Sequence, residues 1–232
     1  MITFAGIPIN QVAPVMIEDI KVSPISLNPV VRPRAIKFGS QFVRMGGGTR
    51  TITVTFALLD KNPVTRHESL MNLSKWARTD GEYKLLLPQD PMRFLQCVCS
   101  SKWEASTRAW WENKLKLTFT CYSNPYWTDI QTKSVACGTQ FTVLGDAPPL
   151  MHITRTISST VSSPSYSDGV NTLSFNSLAA GNLDIDLNNQ TISLSGVSVV
   201  ASLYSSSNFI VPRTGTMTII GTGTVTYQER WE

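Results

Sequence analysis

LKLTFTCYSNPYW, residues 115–127, is the stretch on which the reading of the chain turns. Leu115, Leu117, Phe119 and Cys121 alternate with Lys116, Thr118, Thr120 and Tyr122, so a strand here shows one apolar and one polar face. Ser123-Asn124-Pro125 then stops it: Asn tolerates unusual backbone angles and Pro125 has no N–H for a ladder. Two amphipathic aromatics, Tyr126 and Trp127, follow at once.

The composition changes across this point. Through Trp127 the chain carries 16 Lys and Arg against 9 Asp and Glu, a net of +7; from Thr128 it carries 4 against 7, a net of −3, and the two give the +4 of the whole. The downstream part also holds 31 Ser and Thr in 105 residues and lacks a helix-like window. Two domains are expected, 1–127 and 128–232, with Asn124 and Pro125 at the junction. At 42% hydrophobic and 16% charged, the 232 residues have a folded composition poor in charge, which suits an assembly component. The opening MITFAGIPIN lacks the basic leader and apolar core of a secretory signal, and no run reaches the roughly 18 apolar residues of a membrane span. Membrane insertion is not expected.

Working outward, the first domain reads as β structure with one helix. Phe4 and Ile7 flank a turn at Gly6, and Val15, Ile17 and Val22 continue a period-two pattern. SPISLNPVVRP, residues 23–33, holds three prolines, which excludes a central strand and predicts an irregular or edge crossing. The clearest strand follows the glycines 46–48: Ile52, Val54, Phe56 and Leu58 face one way and Thr51, Thr53 and Thr55 the other. GGGTR fits no phosphate-binding pattern, since a strand and not a helix follows it. Thr65-Arg66-His67-Glu68 reads as a capping box for a helix near 65–79, with Leu70, Leu73, Trp76 and Ala77 at helical spacing and Trp76 as its anchor on the sheet. Further strands are expected at residues 83–87 and 93–100, where Cys97 and Cys99 share a face as small buried hydrophobes. Trp110 and Trp111 are adjacent, so in a strand they cannot both face one core, and an outward one is an interface candidate or a cap on the barrel end.

The second domain reads as short strands at the spacing of an antiparallel sandwich. NLDIDLNNQTISLSG, residues 182–196, is a hairpin with Asn188-Asn189 at its turn, and further pieces fall at residues 197–203, 209–211, 217–220 and 225–227, uninterrupted by helix.

Catalytic equipment is sparse. The two histidines, His67 and His152, have no second histidine near either, and no GxSxG or HExxH occurs. Asp184-x-Asp186-x-Asn188 begins like a calcium loop, but Asn189 stands where the turn glycine belongs and Ser195 where the bidentate glutamate belongs. The same two aspartates form a glycosidase pair only if they face another carboxylate across a cleft. The chain is expected to be no enzyme and to need no cofactor or metal. Arg32, Arg34, Lys37, Arg44 and Arg50 fall close together without any zinc set, basic helix or RNP run, so they imply a mildly positive surface near a polyanion and no sequence-specific binding.

Taken in order, FAGIPI, GGGTRTITVTFAL, RHESLMNLSKWA, YKLLLPQDPMRFLQC and LKLTFTCYSNPYW, followed by GD-x-P-P at 145–149, LDIDLNNQTISLSG and GTGTVTYQERW, resemble the distal tail proteins of long, non-contractile bacteriophage tails. FIVPRTGTMTII, residues 209–220, departs from that family's Pro-Gly-x-Asn stretch by carrying Arg213 and lacking the glycine and asparagine. The resemblance implies a first domain of β-barrel or sandwich type with one helix, whose copies close into a six-membered ring, and a galectin-like β-sandwich outside it. It implies a hub at the tail tip, assembled in the bacterial cytoplasm and carried in the virion. The hub joins the tail tube protein to the tip or baseplate hub protein beside the tape measure and lets DNA pass. Trp110, Trp111 and Trp127 are then interface candidates, and Arg32, Arg34, Lys37, Arg44 and Arg50 candidates for the lumen. The alternative is a carbohydrate-binding module that holds a host-surface glycan through the second domain.

Overall fold

The computed structural model describes residues 1–26, 29–33, 40–45, 48–101, 114–204 and 206–232, with backbone alone described at 29–33 and 40–45. The chain falls into two compact units, Met1–Trp127 together with Glu232, and Thr128–Trp231.

In the first unit the strands are β1 (Thr3–Phe4), β2 (Ile7–Pro8), β3 (Val15–Val22), β4 (Pro29–Pro33), β5 (Ser40–Met45), β6 (Arg50–Leu58), β7 (Tyr83–Leu87), β8 (Asp90–Cys99) and β9 (Lys114–Cys121), with the helix α1 (Pro63–Ala77) between β6 and β7. Antiparallel pairing runs β3-β6-β9-β8-β7-β1-β2, while β4 and β5 pair with each other as a separate hairpin. Of the three prolines of 23–33, Pro24 lies outside any strand and Pro29 and Pro33 lie in the separate β4-β5 hairpin, so none falls in a central strand. Only Val12, Ala13 and Pro14 separate the short 3-10 turn at Ile9–Gln11 from β3. Because a chain extends at most about 3.6 Å per residue, the two ends of this seven-strand path lie close and the sheet curls around its core.

Alternation builds that core as the sequence predicts. On β6, Ile52, Val54 and Phe56 are buried between half-buried threonines; on β9, Leu117, Phe119 and Cys121 are buried. The register sets Ile52 opposite Phe119 and Val54 opposite Leu117, so the same face of both strands is apolar. Each such side chain contributes about 2 kcal/mol of transfer free energy. The hairpin β1-β2 turns through Ala5 (φ 51°) and Gly6 (φ 80°), the two positive angles of a two-residue turn whose twist matches its strands.

The helix differs from expectation at both ends. Thr65 and Glu68 do not form a capping box. Asn62 is the N-cap, its Oδ1 accepting from the Val64 N–H at 2.9 Å, and Pro63 follows at the first helical position. A proline there loses no hydrogen bond and has its φ preset, so Asn-Pro starts the helix two residues early and leaves Thr65 inside it. The Thr65 hydroxyl donates to the Asn62 carbonyl. Arg66, Ser69, Leu73, Trp76 and Ala77 make the buried face. Trp76 is the anchor: its indole N–H donates to the Ile7 carbonyl at 3.0 Å and its ring meets Phe4 and Phe119 edge-on, at 5.7 and 6.3 Å between centroids. Among the described residues no helix is long and apolar enough to cross a membrane.

After β9 the chain is clamped by Glu82. Its Oε1 accepts from the backbone N–H of Tyr122 and of Ser123, and its Oε2 from the Ser123 hydroxyl. Burial pushes the Glu82 carboxyl up, but these donors outweigh it and leave the group below the ordinary glutamate range. β10 (Trp127–Asp129) then lies at the boundary of the units.

The second unit contains β11 (Lys133–Ala136), β12 (Gln140–Val143), β13 (Ala147–Ile157), β14 (Val161–Ser162), β15 (Ser165–Ser167), β16 (Thr172–Ser174), β17 (Ser177–Leu178), β18 (Gly181–Asp186), β19 (Thr191–Leu194), β20 (Val197–Ser198), β21 (Gly215–Thr218) and β22 (Thr224–Trp231). One layer runs β11-β22-β13-β18-β19-β20. Facing it are the pairs β12-β21, β15-β16 and β14-β17, with bridges Ser167–Ile220 and Phe175–Leu203 between neighbouring pieces. Met151, Ile153, Ile185 and Val225 from the first layer and Phe141, Tyr166, Phe175 and Met217 from the second share one core. One expected strand is short and another is not there. Residues 197–203 keep two strand positions, paired with β19, before a 3-10 turn at Val200–Ser202, and 209–211 precede Pro212 without a ladder. Their β-branched side chains suited a strand, but the pairing that a strand needs stops at Ser198 and is not made at 209–211.

Glu229, 2% exposed, is a buried polar residue of this unit: Oε1 accepts from the Leu144 N–H at 2.9 Å and Oε2 meets the Lys133 ammonium at 2.8 Å. Removing Glu229 takes the acceptor from the Leu144 N–H, while the partly exposed Lys133 can turn to water. Glu229→Ala is expected to cost about 2 kcal/mol, seen as a lower denaturation midpoint, with Glu229→Gln costing less because it keeps an acceptor for Leu144. A change under about 0.5 kcal/mol contradicts the pairing.

Glu82 gives a pH-dependent expectation. Its folded pKa lies below the ordinary glutamate value, so the clamp stabilises fully above that value and fades as pH falls through the lowered one. Because the carboxylate is partly solvated, Glu82→Gln is expected to cost only about 1 kcal/mol at pH 7 and less near pH 3. Thermal melts at the two pH values check this; an equal deficit at both would contradict it.

Candidate interaction surfaces

The residues singled out in the sequence separate into distinct environments. Trp110 and Trp111, with Arg34 and Lys37, lie outside the described residues. Trp127 is half-buried and packs against the first unit's core, so part of its indole is already used inside the subunit and the rest is open. Asn124 and Pro125 are both buried, and the Asn124 Oδ1 accepts from the Tyr126 N–H at 3.3 Å, an Asx turn that fixes how the chain leaves β9. Together with the Glu82 clamp this makes the approach to Trp127 a braced segment.

The basic cluster is divided. Arg32 and Arg44 stand on the β4-β5 hairpin, whose register sets Arg32 opposite Gln41 and Arg44 opposite Val30. Arg50 does not join them. It begins β6, is 5% exposed, and sits opposite Cys121, so it is a residue of the subunit interior and cannot present its charge to a lumen. Strand parity explains the correction: Arg50 is two residues before Ile52 and shares its inward face. The nearness in sequence that groups it with Arg44 does not see that parity.

Outward-facing apolar side chains mark the region around α1. Ile7, Trp76 and Tyr83, with Ala5, line a groove of about 690 Å³ bordered by Lys75, Arg78, Thr79 and Asp80. Ile7 and Tyr83 keep 47% and 37% of their surface open. Along the helix, Val64 and Met71 are exposed, and Met16 is exposed on β3. The groove has no enclosed floor of convergent polar groups of the kind a small-molecule site uses. β3 itself is blunted as a pairing edge: Glu18 sits at an irregularity in its register with β6, and Glu18, Asp19 and Lys21 put charge along it.

In the second unit the exposed face of β13, β18 and β22 carries His152, Thr154, Asp184 and Thr224, with Asp186 in the same row as His152. The His152 ring lies between two carboxylates, Nδ1 at 3.2 Å from Asp184 and Nε2 at 3.8 Å from Asp186. Asp186 is occupied structurally. Its Oδ1 accepts from the N–H of Asn188 and of Asn189, and its Oδ2 from the Asn189 amide. Burial pushes this carboxyl up, while Asn189, His152 and Asn188 pull it down further, leaving it below the ordinary range. The Asn188 side chain in turn accepts from the Met151 N–H and donates to the Pro149 carbonyl. The Asp-x-Asp-x-Asn pattern is thus the fastening of a hairpin turn onto β13. Sequence spacing shows the Asp pair but not the histidine that strand pairing brings between them. Among the described residues no group of three or more His, Cys, Asp or Glu is placed to hold a metal ion.

No protein-family model and no curated protein sequence matches the chain. Solved structures do. The phage P2 baseplate, in its activated conformation with Ca or Sr, aligns over 95% of this chain and 91% of that one at 7% identity with a TM-score of 0.45. The Dit protein (gp 19.1) of phage SPP1, described as a paradigm of the hub adsorption apparatus in phages that infect Gram-positive bacteria, aligns over 100% of this chain and 98% of that one at 15% identity with a TM-score of 0.75. From end to end, the fold of this chain is similar to that of SPP1 Dit.

Proposed function

We propose that this protein is a structural hub component of a phage tail tip. Its copies close into a ring, six in number, that joins the tail tube protein to the tip proteins beside the tape measure and leaves an axial opening for DNA. The observation that carries this reading is the likeness to SPP1 Dit across both units, with nothing of substance left over on either chain. Two features of the chain support it. A closed heterologous ring needs two different patches per copy, and the first unit offers distinct ones in the groove beside α1 and the exposed side of β3. The run from Ile20 to Leu59 contains Lys21, Arg32, Arg34, Lys37 and Arg44 besides the buried Arg50 and no acidic residue, and a net positive segment of this kind suits a protein that lets DNA pass. The chain is assigned no catalytic step, and it acts as part of the tail of the particle.

The solution mass of the purified chain tests this. Light scattering over a range of concentrations, alone and with the tail proteins encoded beside it, is expected to give a mass near six times 25.6 kDa in at least one of these conditions. A mass of one subunit throughout would overturn the reading.

A further inference from the structure

Three of the four cysteines gather in the first unit, and two of them face each other. Val98 pairs with Thr120 and Cys99 with Phe119 across β8 and β9, so the next step of the same ladder sets Cys97 opposite Cys121. Cys121 is also opposite Arg50 on β6, and Cys97 opposite Tyr83 on β7, giving one row across four strands. Cys97 and Cys121 are fully buried and both are free thiols. Directly opposed residues in an antiparallel pair have Cα atoms about 4.5–5.5 Å apart, inside the roughly 4.4–6.8 Å that disulfides span. Cys99 is no competitor for Cys97, because side chains two apart on one strand run parallel at about 6.6 Å, and its own opposite number is Phe119.

We propose that Cys97 and Cys121 are a redox modification site, closing a cross-strand disulfide by exchange with a low-molecular-weight disulfide such as oxidised glutathione. One cysteine sulfur attacks the small disulfide, forming a mixed disulfide and releasing one small thiol. The second cysteine attacks the protein sulfur of that mixed disulfide and releases the other thiol. Two protein S–H bonds and one small-molecule S–S bond break, one protein S–S bond forms, and two electrons and two protons pass to the small disulfide. The link ties β8 to β9 and shortens the free loop that residues 98–120 make in the unfolded chain, which is how a disulfide stabilises.

In the folded state the pair reacts slowly. The hydrogen bond with Cys121, and then burial, push the Cys97 thiol well above its ordinary range, and neither sulfur is open to solvent. Exchange therefore happens while the sheet forms or opens. The pairing rests on the register of β8 and β9 alone, so its failure would leave the tail-tip reading where it stands.

The test uses the full chain, both unaltered and as Cys99→Ser/Cys137→Ser. Each is unfolded, refolded in a glutathione redox buffer, quenched with an alkylating reagent and mapped by mass. The expected product is two hydrogens lighter, has peptides holding Cys97 and Cys121 joined, and melts about 5 °C or more above the same protein reduced with dithiothreitol. Cys97→Ser is expected to remove that dependence on reductant. The proposal is overturned if the refolded chain keeps both thiols alkylatable at oxidising glutathione ratios. It is equally overturned if the unaltered chain joins Cys97 or Cys121 to another cysteine, or if the linked chain does not regain the melting transition.

Discussion

The first unit depends on one indole. A curled antiparallel sheet leaves an opening that strands alone do not fill, and Trp76 fills it: the ring packs edge-on against Phe4 from β1 and Phe119 from β9, and the N–H reaches the carbonyl of Ile7. Three parts of the sequence far apart in the chain meet there, the β1-β2 hairpin, α1 and β9. Edge-to-face aromatic pairs contribute about 0.5–1.5 kcal/mol each beyond burial, and the N–H would be costly if enclosed without its acceptor. The same contact sets where α1 lies, and with it the groove of Ile7, Lys75, Arg78 and Tyr83 that opens beside the helix. Fixing the interior thus creates the exterior surface.

A comparable economy holds in the second unit, where polar side chains that look functional in sequence are fastenings. Asp186 and Asn188 close a hairpin and dock it on β13, and Glu229 joins Lys133 to the backbone at Leu144. The outward face of that sheet carries hydroxyls together with His152, Asn182, Asp184 and Gln228, a wettable face. Asp186 and Glu229, like Glu82 in the first unit, commit their carboxylates to backbone N–H groups and so hold a shape, which agrees with a part in an assembly.

Much of this was legible in the residues. Period-two alternation located β6 and β9 and the correct inward side chains, because burial of one face is the dominant energy term and leaves a direct trace in sequence. The Asn188-Asn189 turn and the Trp76 anchor were readable for similar reasons. The errors have physical causes as well. Asn62-Pro63 outcompeted Thr65 as the start of α1 because a preset φ at the first helical position costs nothing there. Arg50 was grouped with surface cations by sequence distance, although its parity with Ile52 already turned it inward. His152 came between Asp184 and Asp186 only through the pairing of β13 with β18, which links residues some thirty positions apart and has no local signature. The same blindness applies to Cys97 and Cys121, whose opposition is a property of register.

The central claim is the proposal that copies of the first unit close into a ring around an axial opening. Electron microscopy of the assembled protein tests it most directly. The account predicts end-on views with rotational symmetry and a stain-filled centre wide enough for a DNA duplex. Assemblies that are compact and closed at the centre, or open chains of subunits that never return on themselves, would contradict it.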